Sequence, residues 1–239
     1  MPLSPVAAIL PTTSLVDYPG RLAAVFFLPG CPFRCGYCHN PDLWNPATSR
    51  LPWPDIDTAC RRFLDNWTDA AVITGGEPTA SPDLPALVSR LKTHGFKIKL
   101  DTNGSNPDVL SALLPSLDDV AMDIKFAPTD YPTHTGFTDI PSLERSITLV
   151  KSLGPSAEFR TTVLPTYHTP ATITTMGTWV HTLGDGTPAT NWYLQPFRPL
   201  DTLPDPAYRT LPEPPPPRLR ALASLLSPHS LHVSLRGEF

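Results

Sequence analysis

The sequence predicts an α/β fold built as a partial (β/α)6 barrel, and three observations carry that prediction. Short apolar runs alternate with stretches of helical spacing along most of the chain, the order expected of parallel strands joined by crossover helices. Two of the runs divide their residues by parity. Val120, Met122 and Ile124 share one face and Ala121, Asp123 and Lys125 the other, while Phe96, Ile98 and Leu100 oppose Lys97, Lys99 and Asp101. Strands of a doubly wound sheet are covered on both faces and read as nearly continuous apolar, whereas a barrel can line a wet interior with polar groups. Finally, each run ends in polar or glycine-rich punctuation, and chemistry in such barrels sits at the carboxyl ends of the strands.

The predicted strands, taken in order, are Leu22 to Leu28, Ala70 to Thr74, Lys97 to Leu100, Asp119 to Ile124, Glu158 to Leu164 and Asn191 to Gln195, each rich in β-branched or apolar residues. Between and beyond them the spacing predicts helices over 55–67, 81–95 with a Ser81 cap and a Gly95 stop, 106–117, 140–154 and 171–184. The 32 prolines among 239 residues are well over twice the usual share of about 5%. Many, such as Pro52, Pro82, Pro107 and Pro141, fall where an element begins or ends. Glu213 to Pro217, "EPPPP", reads as a stiff connector, and the last stretch as a helix followed by a short closing strand. A chain of this length needs only one core. The expectation is a single domain over 1–239, its core at about 14–200, with 201–239 packing on the barrel as an extension.

Composition narrows the function. With 18 Lys and Arg against 22 Asp and Glu, a net charge of −4 and no basic cluster, the chain lacks the electrostatic footprint of a nucleic-acid or anionic-membrane binder. The N-terminal stretch has no basic leader pattern and no apolar run reaches the roughly 20 residues of a membrane helix, so a cytoplasmic protein is expected. Four cysteines do not make a disulfide framework in a chain this long. Three of them, Cys31, Cys35 and Cys38, are bunched in "GCPFRCGYCHNPDLW", which reads as a ligand set.

A zinc site completed by Cys60 or His39 is one reading of that triplet. Structural zinc, however, takes paired ligands followed by a second pair at a distance, and Cys60 lies within a helix, where a lone cysteine is a small buried hydrophobe. A [4Fe–4S] cluster normally takes four thiolates; three would leave one iron open to a small molecule. C-x3-C-x2-C with Tyr37 inside it resembles the radical S-adenosylmethionine (radical SAM) signature. The wider stretch "DYPGRLAAVFFLPGCPFRCGYCHNPDLW" is similar to the activating enzymes of glycyl radical proteins. Among these it resembles most the activating protein of anaerobic ribonucleoside-triphosphate reductase, with similarity from about Ser14 to Arg198.

That resemblance implies roles. Cys31, Cys35 and Cys38 would hold a [4Fe–4S] cluster whose fourth iron is chelated by S-adenosylmethionine, with Tyr37 and His39 beside the adenine. Gly75, Gly76 and Glu77 of "GGEP" would meet the methionyl ammonium, the glycines because a Cβ would block the approach; an ordinary turn is the plain alternative. Asp101, beside Thr102 in "DTNG", and Asp123 resemble the residues that hold a monovalent cation near the cofactor carboxylate in the pyruvate formate-lyase activating relatives. Lys125 would face that carboxylate. "DTNG" equally suits a turn with an Asx-type bond, and Asp123 with Lys125 a simple pair, since buried charges require partners. Arg160 would support the cofactor or form a structural ion pair. Arg198 stands where the formate-lyase relatives carry histidine. "DYPG" is a tight turn with no chemistry assigned, Cys60 is structural, and His134, His168 and His181 are expected to be solvated or to cap helices.

The implied activity is that of an oxidoreductase, a radical SAM glycyl radical activating enzyme. One electron from the cluster cleaves the sulfonium, and the 5′-deoxyadenosyl radical takes hydrogen from a glycine Cα of the partner. The protein contributes positioning and exclusion of water; no catalytic side chain beyond cluster and cofactor is expected. Flavodoxin or ferredoxin is expected as electron donor, because the task needs the low end of cluster potentials and the one remaining cysteine cannot build a second cluster. The alternatives are action on another glycyl radical enzyme, of pyruvate formate-lyase type, or on a small molecule. From another class comes a non-catalytic zinc or iron–sulfur module.

Overall fold

The computed structural model describes residues 3–237, and the chain divides into two compact units. The first comprises the chain up to Pro32 with Asn40–Thr102 and Asp108–Val120; the second comprises Phe33–His39, Asn103–Pro107 and the chain from Ala121 on.

In the first unit lie β1 (Ala8–Ile9), β2 (Ala23–Leu28), α1 (Trp53–Asp65), β3 (Ala70–Gly75), α2 (Leu84–Thr93) and β4 (Lys97–Thr102). β1 runs antiparallel to β2, with Ala8 opposite Phe27. β2, β3 and β4 are parallel neighbours in chain order, with Val25 opposite Val72 and Val72 opposite Lys99. No strand order reverses, as it would at the switch point of a doubly wound sheet. The helices bury the stripes that helical spacing demands: Ile56, Cys60 and Phe63 from α1, and Leu84, Leu87, Val88 and Leu91 from α2. Cys60 is fully buried and burial pushes its thiol up to about 12, as befits an inert packing residue.

Two predicted boundaries move. α1 ends two residues early because Trp67 takes a left-handed conformation at φ 62°, the geometry that closes a helix. α2 starts at Leu84 rather than at a Ser81 cap. Ser81 instead ends the 3₁₀ turn Pro78–Ala80, and its buried hydroxyl finds no partner among the described residues. α3 (Pro107–Leu113) and β5 (Asp119–Asp123) follow.

The second unit adds α4 (Tyr131–Thr135), α5 (Ile140–Lys151), β6 (Ala157–Val163), α6 (Pro170–Thr182), β7 (Ala189–Pro196), α7 (Pro206–Arg209), α8 (Pro216–Leu226) and β8 (Ser230–Leu235). β6, β7 and β8 are again parallel neighbours in chain order, with Phe159 opposite Trp192 and Trp192 opposite Val233. The closing strand expected near the C-terminus is thus β8, a full partner of β7. "EPPPP" is not a free connector: Pro215 caps α8 and Pro216 begins it, a place where a missing N–H costs nothing. The buried Trp192 donates its Nε1–H to Thr161 Oγ1 at 3.1 Å, which satisfies the one polar atom of the largest core side chain.

Candidate functional site

The first unit carries Cys31, "GGEP" and the first two residues of "DTNG", Asp101 and Thr102. Where β3 ends, the Gly76 amide donates to the Leu28 carbonyl at 2.9 Å and the Glu77 amide to the Gly30 carbonyl at 2.7 Å, while the Gly30 amide reaches Leu43 at 2.7 Å. A Cβ on Gly75 would stand 2.4 Å from the Leu28 backbone, and one on Gly76 would stand 2.4 Å from the Gly30 carbonyl. The reason for the glycines given from sequence is therefore incomplete. Their first task is close backbone contact that ties "GGEP" to the residue preceding Cys31.

Glu77 is fully buried. Its Oε1 accepts from the Thr79 amide at 3.1 Å, the Thr79 hydroxyl at 2.6 Å and the Thr102 hydroxyl at 2.7 Å. Thr102 thus links the end of β4 to "GGEP". One residue earlier, Asp101 Oδ1 accepts from Lys99 Nζ at 2.8 Å, and that ammonium also donates to the Asp17 carbonyl at 2.8 Å. The sequence placed Lys99 on the polar face but gave no hint of these partners.

The second unit carries the rest of the cysteine loop. The Cys38 amide closes a turn onto the Cys35 carbonyl at 3.0 Å, and the Arg34 amide holds the Thr135 carbonyl at 2.8 Å. Tyr37 is buried, its ring 6.0 Å from Phe126 and 5.8 Å from Tyr208 by centroids. The Asp205 amide donates to the Gly36 carbonyl at 3.1 Å. Asp205 and Tyr208, cap and member of α7, therefore clasp the loop, a role for the C-terminal extension that the sequence did not reveal. His39 is exposed, its Nε2 3.0 Å from the Arg198 carbonyl. The Arg198 side chain is exposed as well and pairs with Glu213 at 3.7 Å.

Asp123, Lys125 and Arg160 do come together. Lys125 Nζ donates to Asp123 Oδ2 at 2.7 Å and Arg160 Nε to Asp123 Oδ1 at 3.3 Å. Arg160 Nη1 lies 3.9 Å from Glu158, which Arg236, the residue after β8, grips through both oxygens at 3.1 and 2.9 Å. Burial alone would raise the Asp123 carboxyl, but Lys125 and Arg160 pull it down to about 2. Burial disfavours the charge of Lys125, and Asp123 more than restores it, so the ammonium titrates well above the usual lysine range. Arg236, 76 residues beyond Arg160 in sequence, is a member that no motif announced.

The backbone of Lys125 is fixed from both sides: its amide donates to the Tyr131 hydroxyl at 3.0 Å, and its carbonyl faces His168 Nε2 at 3.0 Å. Because the Leu164 amide donates to His168 Nδ1 at 2.8 Å, the ring is neutral with its proton on Nε2. Burial lowers its pKa to about 4. The expectation of a solvated or capping residue is thus wrong for His168, which is a buried clamp; nothing in its sequence neighbourhood could have shown the partner 43 residues away. His134 instead stacks on Phe126 at 4.5 Å, and His181 meets His229 at 5.6 Å.

All four cysteines are free thiols. Burial pushes the Cys35 thiol up to about 11, against the pull of Lys125. A coordinating iron deprotonates such a thiol outright, so a buried thiol suits a cluster ligand. Among the described residues no three His, Cys, Asp or Glu side chains converge on a point that would hold a single metal ion. An iron–sulfur cluster sets a different requirement, since each thiolate binds its own iron. Three thiols at this spacing along the chain supply that number of ligands.

Residues 25–169 match the radical SAM superfamily. The chain is 40% identical over 119 residues to a Methanocaldococcus jannaschii protein provisionally named a glycyl-radical enzyme activating enzyme, which covers 47% of each chain. It is 32% identical over 158 residues to a pyruvate formate-lyase-activating enzyme of Clostridium pasteurianum, covering 64% of this chain and 66% of that one. The chain thus spans about half of the first relative and just under two thirds of the second. Among solved structures, a domain of a pyruvate-formate lyase-activating enzyme from Bacteroides vulgatus superposes with a TM-score of 0.55 at 14% identity, over 70% of this chain and 99% of that one. Streptococcus suis SuiB bound to its precursor peptide SuiA reaches 0.64 at 15%, over 89% and 48%. At these identities the likeness is one of fold. With a parallel-rich α/β fold, the three-cysteine loop and a family match over more than half its length, the chain belongs to the radical SAM superfamily, whose members use a [4Fe–4S] cluster and S-adenosylmethionine.

Proposed function

We propose that the chain is an activating enzyme that installs a glycyl radical on a partner, and that the partner is an anaerobic ribonucleoside-triphosphate reductase. The observation that carries the first part is the braced cysteine loop, joined by family and by relatives named as activases. Cys31, Cys35 and Cys38 would hold the cluster. Once bound and reduced, cluster and cofactor supply one-electron cleavage of the sulfonium and hydrogen-atom abstraction from a glycine Cα.

The chain's own residues bind and orient. Lys125, locked through its backbone and kept charged by Asp123, offers an ammonium to the cofactor carboxylate, and Arg160 steadies Asp123 from the other side. The aromatic packing of Tyr37 keeps the loop dry, which matters because a radical attacks whatever lies nearest. Glu77, Asp101 and Thr102 hold the ends of β3 and β4 in place, and the exposed His39 and Arg198 would meet the adenine and ribose. No step moves a proton through a side chain. The electron comes from flavodoxin or ferredoxin in the reducing cytoplasm. Among the described residues no helix is long and apolar enough to cross a membrane.

The choice of reductase rests on the sequence resemblance, and Arg198 in place of histidine separates the chain from the formate-lyase group. A second reading, a pyruvate formate-lyase partner, has the names of several relatives in its favour. One experiment separates the readings. Anaerobically reconstituted protein is given dithionite and S-adenosylmethionine, alone and with each candidate partner. We expect near four irons per chain, 5′-deoxyadenosine, and a glycyl doublet in the electron paramagnetic resonance spectrum with the reductase. A doublet only with the lyase reverses the partner, and no 5′-deoxyadenosine with any partner removes the function.

A further inference from the structure

The Asp101 carboxylate is met by a cation from its own strand. Lys99 lies two residues back on the same face, is 1% exposed, and places Nζ 2.8 Å from Asp101 Oδ1. The Asp17 carbonyl accepts from the same ammonium at 2.8 Å. The "DYPG" turn holds that carbonyl in place. Ser14 Oγ donates to Asp17 Oδ2 at 2.5 Å and accepts from the Asp17 amide at 3.2 Å, while the Tyr18 hydroxyl donates to the Asp119 carboxylate. The turn to which the sequence assigned no chemistry is therefore part of the socket for Lys99. A buried ammonium persists only where such partners fix it.

The resemblance to formate-lyase activating enzymes implies a monovalent metal ion on Asp101 and Asp123. These residues do not fit that ion. Asp101 is already neutralised by Lys99, and Asp123 by Lys125 and Arg160. A metal ion on Asp101 would stand beside an immobilised ammonium and be repelled by it.

We propose that Lys99 is a built-in cation, and that this chain binds its cofactor without a monovalent metal ion. The proposal rests on the reading of the site as one for S-adenosylmethionine and adds its ion requirement. The test titrates sodium and potassium against the reconstituted protein, with tetramethylammonium chloride holding ionic strength, and reads S-adenosylmethionine affinity by calorimetry. Wild type should change by less than about twofold. Lys99→Met should bind about tenfold more weakly without metal ions, the scale of one lost charge-assisted interaction, and recover with potassium, while Lys99→Arg should stay indifferent to salt. A saturable gain of about tenfold or more in wild type overturns the proposal, as does a Lys99→Met protein that binds like wild type with no response to salt.

A second measurement depends on neither the variant nor the cofactor. Wild-type holoprotein crystallised in thallium(I) salt should show no anomalous peak bonded to the Asp101 carboxylate, and a peak there overturns the proposal. If the site reading itself is wrong, S-adenosylmethionine binds in no salt, and the thallium map still decides whether Lys99 excludes the ion.

Discussion

Asp101 stands next to the last residue of β4 and Asp123 is the last residue of β5, both on the polar face of a strand, yet the two units treat them differently. Asp101 is matched by one ammonium from its own strand, almost wholly enclosed. Asp123 lies between Lys125 and Arg160, and the chain of pairs continues through Glu158 to Arg236. This run of pairs sets three cations, Lys125, Arg160 and Arg236, against two carboxylates, Asp123 and Glu158. A matched pair holds a strand end in shape, whereas a cation on a fixed backbone is prepared for an anion. The comparison teaches that a buried carboxylate at a strand end does not by itself mark a metal site; the charge already beside it decides.

The largest effect that could break this division concerns two buried cysteines, one in each unit. Cys35→Ala is expected to abolish cluster incorporation, whereas Cys60→Ala should keep near four irons per chain by iron assay, because Cys60 only fills the core from the buried face of α1. Equal iron loss in both variants would mean that the ligand set has been misassigned.

Next comes Lys125 itself. Lys125→Ala should retain its iron yet bind S-adenosylmethionine about tenfold to a hundredfold more weakly, the range for one charge-assisted hydrogen bond. Unchanged affinity in equilibrium binding would take Lys125 out of the site.

The smallest effect sharpens the comparison through the clamp behind Lys125. His168 has a folded pKa of about 4 against about 6.5 unfolded. Above pH 6.5 both states are neutral there and its contribution is complete. As pH falls through 6.5 towards 4 the unfolded state takes up a proton that the folded state refuses, and stability declines by about 2 kcal/mol between pH 7 and pH 5. Urea titrations of wild type and His168→Asn over that interval should differ in slope, with the variant flatter; parallel curves would show that His168 is not held neutral.

Much of the fold was legible because it is written locally. The six predicted strands form within two residues of their expected limits, and the stripes Ile56–Cys60–Phe63 and Leu84–Leu87–Val88–Leu91 follow helical spacing directly. The parity argument placed Lys99, Asp101, Asp123 and Lys125 on polar faces, and all four are engaged there. What escaped depends on distance along the chain. Arg236 reaches Glu158 from just beyond β8, His168 clamps Lys125, and Asp205 with Tyr208 clasps Gly36 and Tyr37. "KFAPTDYPTHTG" hid the short α4, whose Tyr131 supplies the hydroxyl that fixes the Lys125 amide.

The sequence alone determined the chemistry on offer: three thiols at fixed spacing on one loop, glycines where strands end, and charged residues alternating with apolar ones. Those depend on covalent order and on the two-residue repeat of a strand, which no packing can alter. Tertiary structure alone decided how each charge is spent, because the field at a carboxylate is set by groups within a few ångströms in space, whatever their separation in the chain. Asp101 and Asp123 look alike in sequence, each with a lysine two residues away, and only the Asp17 carbonyl that closes on Lys99 and the Arg160 guanidinium that reaches Asp123 make them different.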